Sequence, residues 1–206
     1  MPYQLTLASA TTGEKGYVWQ GEVPFGIVET EAYRAMNPNG TIPTIDDQGF
    51  ILWESNAIVA YLARRYAPDR LFGGDEAIFA RALQWMIWAN YSLDPSLHAL
   101  ILHLERLPAN QRSAEIVETS RRDVVRKLEL MEAQLARSAF FAGDSFTMGD
   151  IPLGISAQRF VHFELARPAL PRIENWLARL AEREGFRVHV APRARHLPSR
   201  ERTPAS

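Results

Sequence analysis

Apolar and polar residues alternate over four short runs in the first third of the chain: Tyr3–Ala8, Tyr17–Val23, Thr44–Asp46 and Phe50–Trp53. Alternation with period two predicts strands, and the turn signals "NPNG" and "DDQG" punctuate the later ones. The period then changes. From Ser55, whose hydroxyl can cap a first turn, a helix is expected to about Tyr66, with Ile58, Tyr61 and Leu62 on one face and Arg64 and Arg65 turned outward. "APDRLFGGD" reads as a linker. Beyond Glu76 the pattern is helical almost throughout. Phe79, Leu83, Met86 and Ile87 form an apolar stripe, and Pro95 is expected to kink or divide that helix after Asp94. Val117, Val124, Leu128, Met131 and Leu135 form a second stripe within Ile116–Leu135. "FTMGDI" predicts a capped helix start. Thr147 caps the third backbone N–H, Asp150 reaches back to the N–H of Thr147, and Phe146 staples onto Ile151. A last helix, about Pro171 to Glu184, carries Ile173, Trp176, Leu177 and Leu180. The resulting class is α+β: a strand-rich domain over 1–66, a linker over 67–75, an all-helical domain over 76–190, and a polar tail over 191–206 expected to be disordered.

Composition narrows the functional classes. At 206 residues, with 47% apolar residues and a formal net charge of −1, the chain suits a globular protein and neither a nucleic-acid nor a membrane-surface binder. No apolar run approaches the ~20 residues of a spanning helix, and the N-terminus lacks a basic region followed by an apolar one, so a cytoplasmic protein is expected. With no cysteine, disulfides, thiolate metal sites and a cysteine nucleophile are excluded. The five histidines show no ligand spacing, and no metal is expected.

Residues 37–62 read "NPNGTIPTIDDQGFILWESNAIVAYL". Pro43 has no N–H, which leaves backbone groups of Ile42 free to pair with an extended ligand as an added strand. Ser55 offers a hydroxyl and free helix N–H groups to a carboxylate. The segment resembles the cytosolic glutathione transferase family, of theta-like type, through NP-x-G-x-(V/I)-P followed by a hairpin and (E/Q)-S-x-A-I-x-x-Y-L. "PFGIVETEAYRAMNPNG", "FAGDSFTMGDIPLG" and "WLARLAEREGFRVHV" extend the resemblance to about 170 residues. It implies a thioredoxin-like domain followed by a helical one, a cis Ile42–Pro43 bond, and a homodimer. It also implies glutathione as ligand or co-substrate, its γ-glutamyl end on Glu54 and Ser55 and its cysteinyl backbone on Ile42 beside Pro43. Trp85, Trp88 and Tyr91 are candidates for a second-substrate pocket for a small apolar electrophile, or else are core aromatics. Thr147 and Asp150 read as structural.

One departure stands out. The family places a thiol-activating hydroxyl or thiol just after the first strand, at the start of a helix. Here only "SATTGEKG" separates Ala8 from Tyr17. Parallel strands need a crossover of a dozen or more residues, whereas eight with two glycines suit a hairpin. The first helix is therefore expected to be missing, leaving Leu5, Leu7, Val18 and Trp19 to be covered by other means, and Thr12, Thr11 and Ser9 as the nearest substitutes for the catalytic hydroxyl. Two readings stay open: a transferase joining glutathione to small electrophiles, and a catalytically inactive ligand-binding or dimeric scaffold protein of the same fold. The absence of cysteine excludes the family's variants that work through a protein mixed disulfide.

Overall fold

The computed structural model describes residues 27–72 and 74–190. The strand expectations at 3–8 and 17–23, the loop 9–16 with Ser9, Thr11 and Thr12, and the tail 191–206 lie outside the described residues. The chain divides into two compact units, Met1–Pro68 and Asp69–Ser206.

In the first unit, a 3-10 turn at Ile27–Glu29 leads into α1 (Glu31–Met36), which Thr30 caps by accepting the Tyr33 N–H at 3.2 Å. β1 (Thr44–Asp47) and β2 (Phe50–Trp53) pair antiparallel, with Thr44 opposite Trp53 and Asp47 opposite Phe50. Only Gln48 and Gly49 join them, both at positive φ (58° and 90°), the two-residue loop that matches strand twist. Asp46 Oδ1 accepts the Gly49 N–H at 2.7 Å and steadies the loop. α2 (Ser55–Tyr66) follows and buries Ile58 and Ala63, while Arg64 and Arg65 face outward as the periodicity predicts.

In the second unit the helices are α3 (Glu76–Trp88), α4 (Asp94–Ile101), α5 (Ala114–Gln134), α6 (Asp150–His162), α7 (Pro171–Ala181) and α8 (Glu184–His189). Their shared core includes Leu97 and Leu100 of α4, Leu128 and Met131 of α5, Phe160 of α6 and Trp176 of α7. Fully burying such side chains stabilises the fold by about 1.5–3 kcal/mol each. α7 follows its predicted stripe: Ile173, Trp176, Leu177 and Leu180 are all buried.

Four local expectations are corrected. The long helix does not divide after Asp94: a π-helical turn, Ala89–Leu93, precedes Asp94, whose N–H reaches the Ala89 carbonyl. Pro95 then falls in the first turn of α4, where a missing N–H is harmless. Ile87 is 50% exposed, because the buried line runs through Ala82, Met86 and Ala89 and residue 87 lies one step, about 100°, off it. The last predicted helix ends at Ala181, short of Glu184, where Arg183 adopts an extended backbone, and the short α8 begins at Glu184. Finally, Thr147 Oγ1 accepts from the Gly149 N–H at 3.3 Å and not from the third N–H, although Asp150 does reach back to the Thr147 N–H at 3.0 Å.

Candidate functional site

The open end of the hairpin brings the predicted binding residues together. Thr44 opposite Trp53 is the last ladder pair, so Pro43 and Glu54 are its immediate flanking residues, with Ile42 and Ser55 next. The Ile42–Pro43 peptide bond is cis. Ile42 is 38% exposed, and its backbone N–H and C=O make no hydrogen bond among the described residues.

The turn carrying Ile42 is held from inside. Tyr33 and Asn37, each 1% exposed, project toward it from α1 and its C-cap. The Tyr33 hydroxyl donates to the Thr41 carbonyl at 2.8 Å, and Asn37 Nδ2 donates to the same carbonyl at 2.8 Å. Asn37 Nδ2 also donates to Thr44 Oγ1 at 3.1 Å, and Thr44 Oγ1 lies 2.9 Å from the Tyr33 hydroxyl. Asn37 Oδ1 accepts from the N–H and side-chain amide of Asn39 at 3.1 and 3.2 Å. Sequence reasoning assigned neither Tyr33 nor Asn37 a role. The available signal was the polar Asn37 inside the "NPNG" segment, a residue type rarely buried unless its amide is fully bonded.

Across the hairpin end, the expectation that Ser55 caps α2 is corrected. Glu54 holds the cap position and Ser55 is the first helical residue, with its side chain exposed. Glu54 has φ 74° and ψ 114°, an uncommon backbone for a residue with a Cβ, and makes no side-chain hydrogen bond to the first turn. By contrast, Thr30, Asp75 and Ser113 each cap their helices through side-chain oxygens. The end of α2 therefore presents partial positive charge beside an exposed hydroxyl and an exposed carboxylate. An extended ligand with a carboxylate and an ammonium suits this combination.

At the closed end of the hairpin, Asp47 is 4% exposed and accepts from the Tyr61 hydroxyl at 2.6 Å and the Tyr66 hydroxyl at 2.7 Å. Arg65 Nε lies 3.3 Å from the same carboxylate. The phenol bonds, Tyr61 first and then Tyr66, hold the Asp47 carboxyl below the usual carboxylate range despite burial, and Arg65 adds to the effect. This clamp fixes α2 against β1 and so fixes where the opposite end of α2 stands.

The aromatic candidates of the second unit behave differently from one another. Trp85 packs edge-on against Trp88 and Phe141, with ring centroids 5.2 and 4.9 Å away, and both tryptophans lean on the helical core. Tyr91 is 83% exposed. A cavity of about 550 Å³ in this unit is lined by none of them, but by Asp94, His98, Ile155, Ser156, Arg159 and His189 among others. Ser156 Oγ donates to Asp94 at 2.7 Å; burial pushes the Asp94 carboxyl up, and that bond and His98 oppose it. Among the described residues, no three His, Asp or Glu side chains cluster as a metal site, and no helix is long and apolar enough to cross a membrane.

Comparison with known proteins gives this geometry a family. Residues 10–70 match the N-terminal domain of glutathione S-transferase, and residues 114–179 match its C-terminal domain. Glutathione S-transferase GstB of Escherichia coli strain K12 is 35% identical over 168 residues, covering 81% of this chain and 81% of that protein. The chain belongs to the glutathione S-transferase family. Among solved structures, the theta-class glutathione S-transferase of the citrus canker pathogen Xanthomonas axonopodis pv. citri, with glutathione bound, is 38% identical. It superposes with a TM-score of 0.73, covering 81% of this chain and 80% of that one. A delta-class transferase of Nilaparvata lugens is 25% identical with a TM-score of 0.72, covering 82% of this chain and 78% of that one. The family's fold, a small sheet with helices followed by a helical domain, is the architecture seen here.

Proposed function

We propose that this member of the glutathione S-transferase family is a cytoplasmic, homodimeric enzyme that binds glutathione and joins it to small apolar electrophiles. One observation carries the binding half: the ladder ending at Thr44 and Trp53 flanks an exposed Ile42 backbone, unpaired among the described residues, with an α2 start that the Glu54 side chain does not cap. On this reading the cysteinyl backbone of glutathione pairs with Ile42 beside Pro43. Ser55 and the α2 N–H groups take the γ-glutamyl carboxylate, and Glu54 takes its ammonium. The glutathione-bound relative supports the choice of ligand.

For the chemistry, a hydroxyl of Thr12, Thr11 or Ser9 donates a hydrogen bond to the glutathione sulfur. A free thiol has a pKa of about 8.5, so the thiolate is a minor form at neutral pH, and each unit by which that bond lowers it is worth about 1.4 kcal/mol. The thiol proton goes to solvent, the sulfur lone pair forms a C–S bond to the electrophilic carbon, and with an aryl halide the halide ion departs. Trp85, Trp88 and Tyr91 are our candidates for contact with the electrophile, Tyr91 being the ring open to solvent.

Titration calorimetry with glutathione tests the binding half. The native protein is expected to bind, and Ser55→Ala to bind roughly ten- to a hundredfold more weakly, the loss of a hydrogen bond to a charged group. No binding by the native protein overturns the proposal. An aryl chloride assay tests the chemistry. Turnover is expected to fall in at least one of Thr12→Ala, Thr11→Ala and Ser9→Ala, and unchanged turnover in all three removes the hydroxyl. Glutathione binding with no native turnover leaves the non-catalytic ligand-binding reading in its place.

A further inference from the structure

We infer that Tyr33 and Asn37 are positioning residues for the ligand's backbone: by gripping the Thr41 carbonyl, they aim the Ile42 N–H out of the fold. This inference rests on the reading above that glutathione pairs with Ile42.

The proton directions follow from chemistry alone. A carbonyl can only accept, so the single hydroxyl proton of Tyr33 goes to Thr41, and Thr44 must donate its own hydroxyl proton to the Tyr33 oxygen. One N–H of Asn37 goes to Thr44 Oγ1 and the other to the Thr41 carbonyl. The result is a closed ring, Asn37 to Thr44 to Tyr33 to Thr41 and back to Asn37, in which every side-chain donor is used. Tyr33, Asn37 and Thr44 are at most 3% exposed, so these three side chains lie in a low-dielectric setting where their bonds reinforce one another, while Thr41 itself stands at the exposed edge of the ring. It also fixes the Asn37 amide orientation, because only its nitrogen can serve two acceptors.

Among the described residues the Ile42–Pro43 bond alone is cis, so the Thr41–Ile42 peptide is trans. In a planar trans peptide the carbonyl of one residue and the N–H of the next point in opposite directions. With the Thr41 oxygen held inward by two donors, the Ile42 N–H points away from the buried ring, and it makes no hydrogen bond among the described residues. The ring therefore never touches the ligand, yet it sets the donor that meets the ligand's cysteinyl carbonyl. An unanchored peptide could rotate that donor away, and binding would then require reordering it.

The test is a cycle of two proteins and two ligands. Glutathione is compared with an analogue in which an uncharged trans alkene replaces the cysteinyl–glycyl amide, on the native protein and on Tyr33→Phe, by calorimetry. The native protein is expected to prefer glutathione about three- to tenfold, the worth of one hydrogen bond, and Tyr33→Phe to lose most of that preference. A purely structural Tyr33 would lower the melting temperature and weaken both ligands alike; an unchanged ratio overturns the inference while leaving glutathione binding intact. No glutathione binding by the native protein removes the underlying reading as well. Should Tyr33→Phe not fold, amide hydrogen exchange on the native protein decides. The Ile42 N–H is expected to exchange fast without ligand and to become protected with glutathione. Protection already present without ligand overturns the inference.

Discussion

Replacing Asp150 with alanine is expected to lower the unfolding free energy by about 3–5 kcal/mol, read as a shift in the urea midpoint. The Asp150 carboxylate is fully buried and joins three segments. Its Oδ1 accepts the Phe141 N–H and the Trp176 Nε1–H, both at 3.1 Å, and its Oδ2 accepts the Thr147 N–H at 3.0 Å and the Thr147 hydroxyl at 3.3 Å. Burial pushes its carboxyl above the usual range even so. Alanine removes the shared acceptor and leaves three N–H groups buried without a partner, each costing about 1–3 kcal/mol. Asp150→Asn is expected to recover at most half of the loss, because its NH2 must face one of the two donor pairs. A loss below about 1 kcal/mol for Asp150→Ala would show that water or rearrangement satisfies those donors.

Gly149→Ala is expected to destabilise by about 2–3 kcal/mol, and Gly154→Ala by less than about 1 kcal/mol, although the second makes the closer contact. A Cβ at 149 would lie 2.9 Å from Ala82 Cα and 3.0 Å from the Ala82 carbonyl oxygen. Those are backbone atoms in the middle of α3, so α3 and α6 must separate, loosening the packing around both. A Cβ at 154 would lie 2.6 Å from Leu180 Cδ1 and 3.2 Å from Phe186 Cε2, the ends of side chains that can change rotamer. Within α6, alanine also gains up to about 1 kcal/mol of helix propensity over glycine, which offsets that adjustment. Thermal unfolding of the two variants under one buffer decides it. Equal losses, or the reverse order, would sink the distinction between backbone and side-chain neighbours.

Periodicity and turn chemistry made most of the architecture legible. "DDQG" and alternating residues mark the hairpin, helical periodicity marks α2 from Ser55 to Tyr66, and the i, i+3 spacing marks the Asp150 box. What escaped depended on groups distant in sequence or on backbone angles. Tyr33 and Thr44 are eleven residues apart, and no local pattern announces their contact. Arg65 faces outward as its helical phase requires, yet its Nε still reaches Asp47, because a long side chain can fold back over a strand. Ser55 looked like a cap because serine is a favoured one; the positive φ of Glu54 moved the cap position back by one residue. The π turn at Ala89–Leu93 escaped for a related reason: its extra width ahead of Pro95 leaves no mark in the apolar stripe. At the candidate site, Ile42, Pro43, Glu54 and Ser55 could be named from the motif, while the residues that hold Ile42 in place could not.

The backbone at Glu54 has a consequence for how this protein could be engineered. A non-glycine residue at φ 74° costs on the order of 1–3 kcal/mol, and forgoing a side-chain cap costs about 1 more. Set against a typical stability of roughly 5–15 kcal/mol, one residue carries a sizeable share of the margin. Glycine adopts positive φ without a Cβ penalty, so a sturdier variant is one substitution away. That variant would lose the carboxylate proposed to meet the ligand's ammonium. Selection for heat tolerance alone would thus be drawn to position 54, and would strip the site as it succeeded.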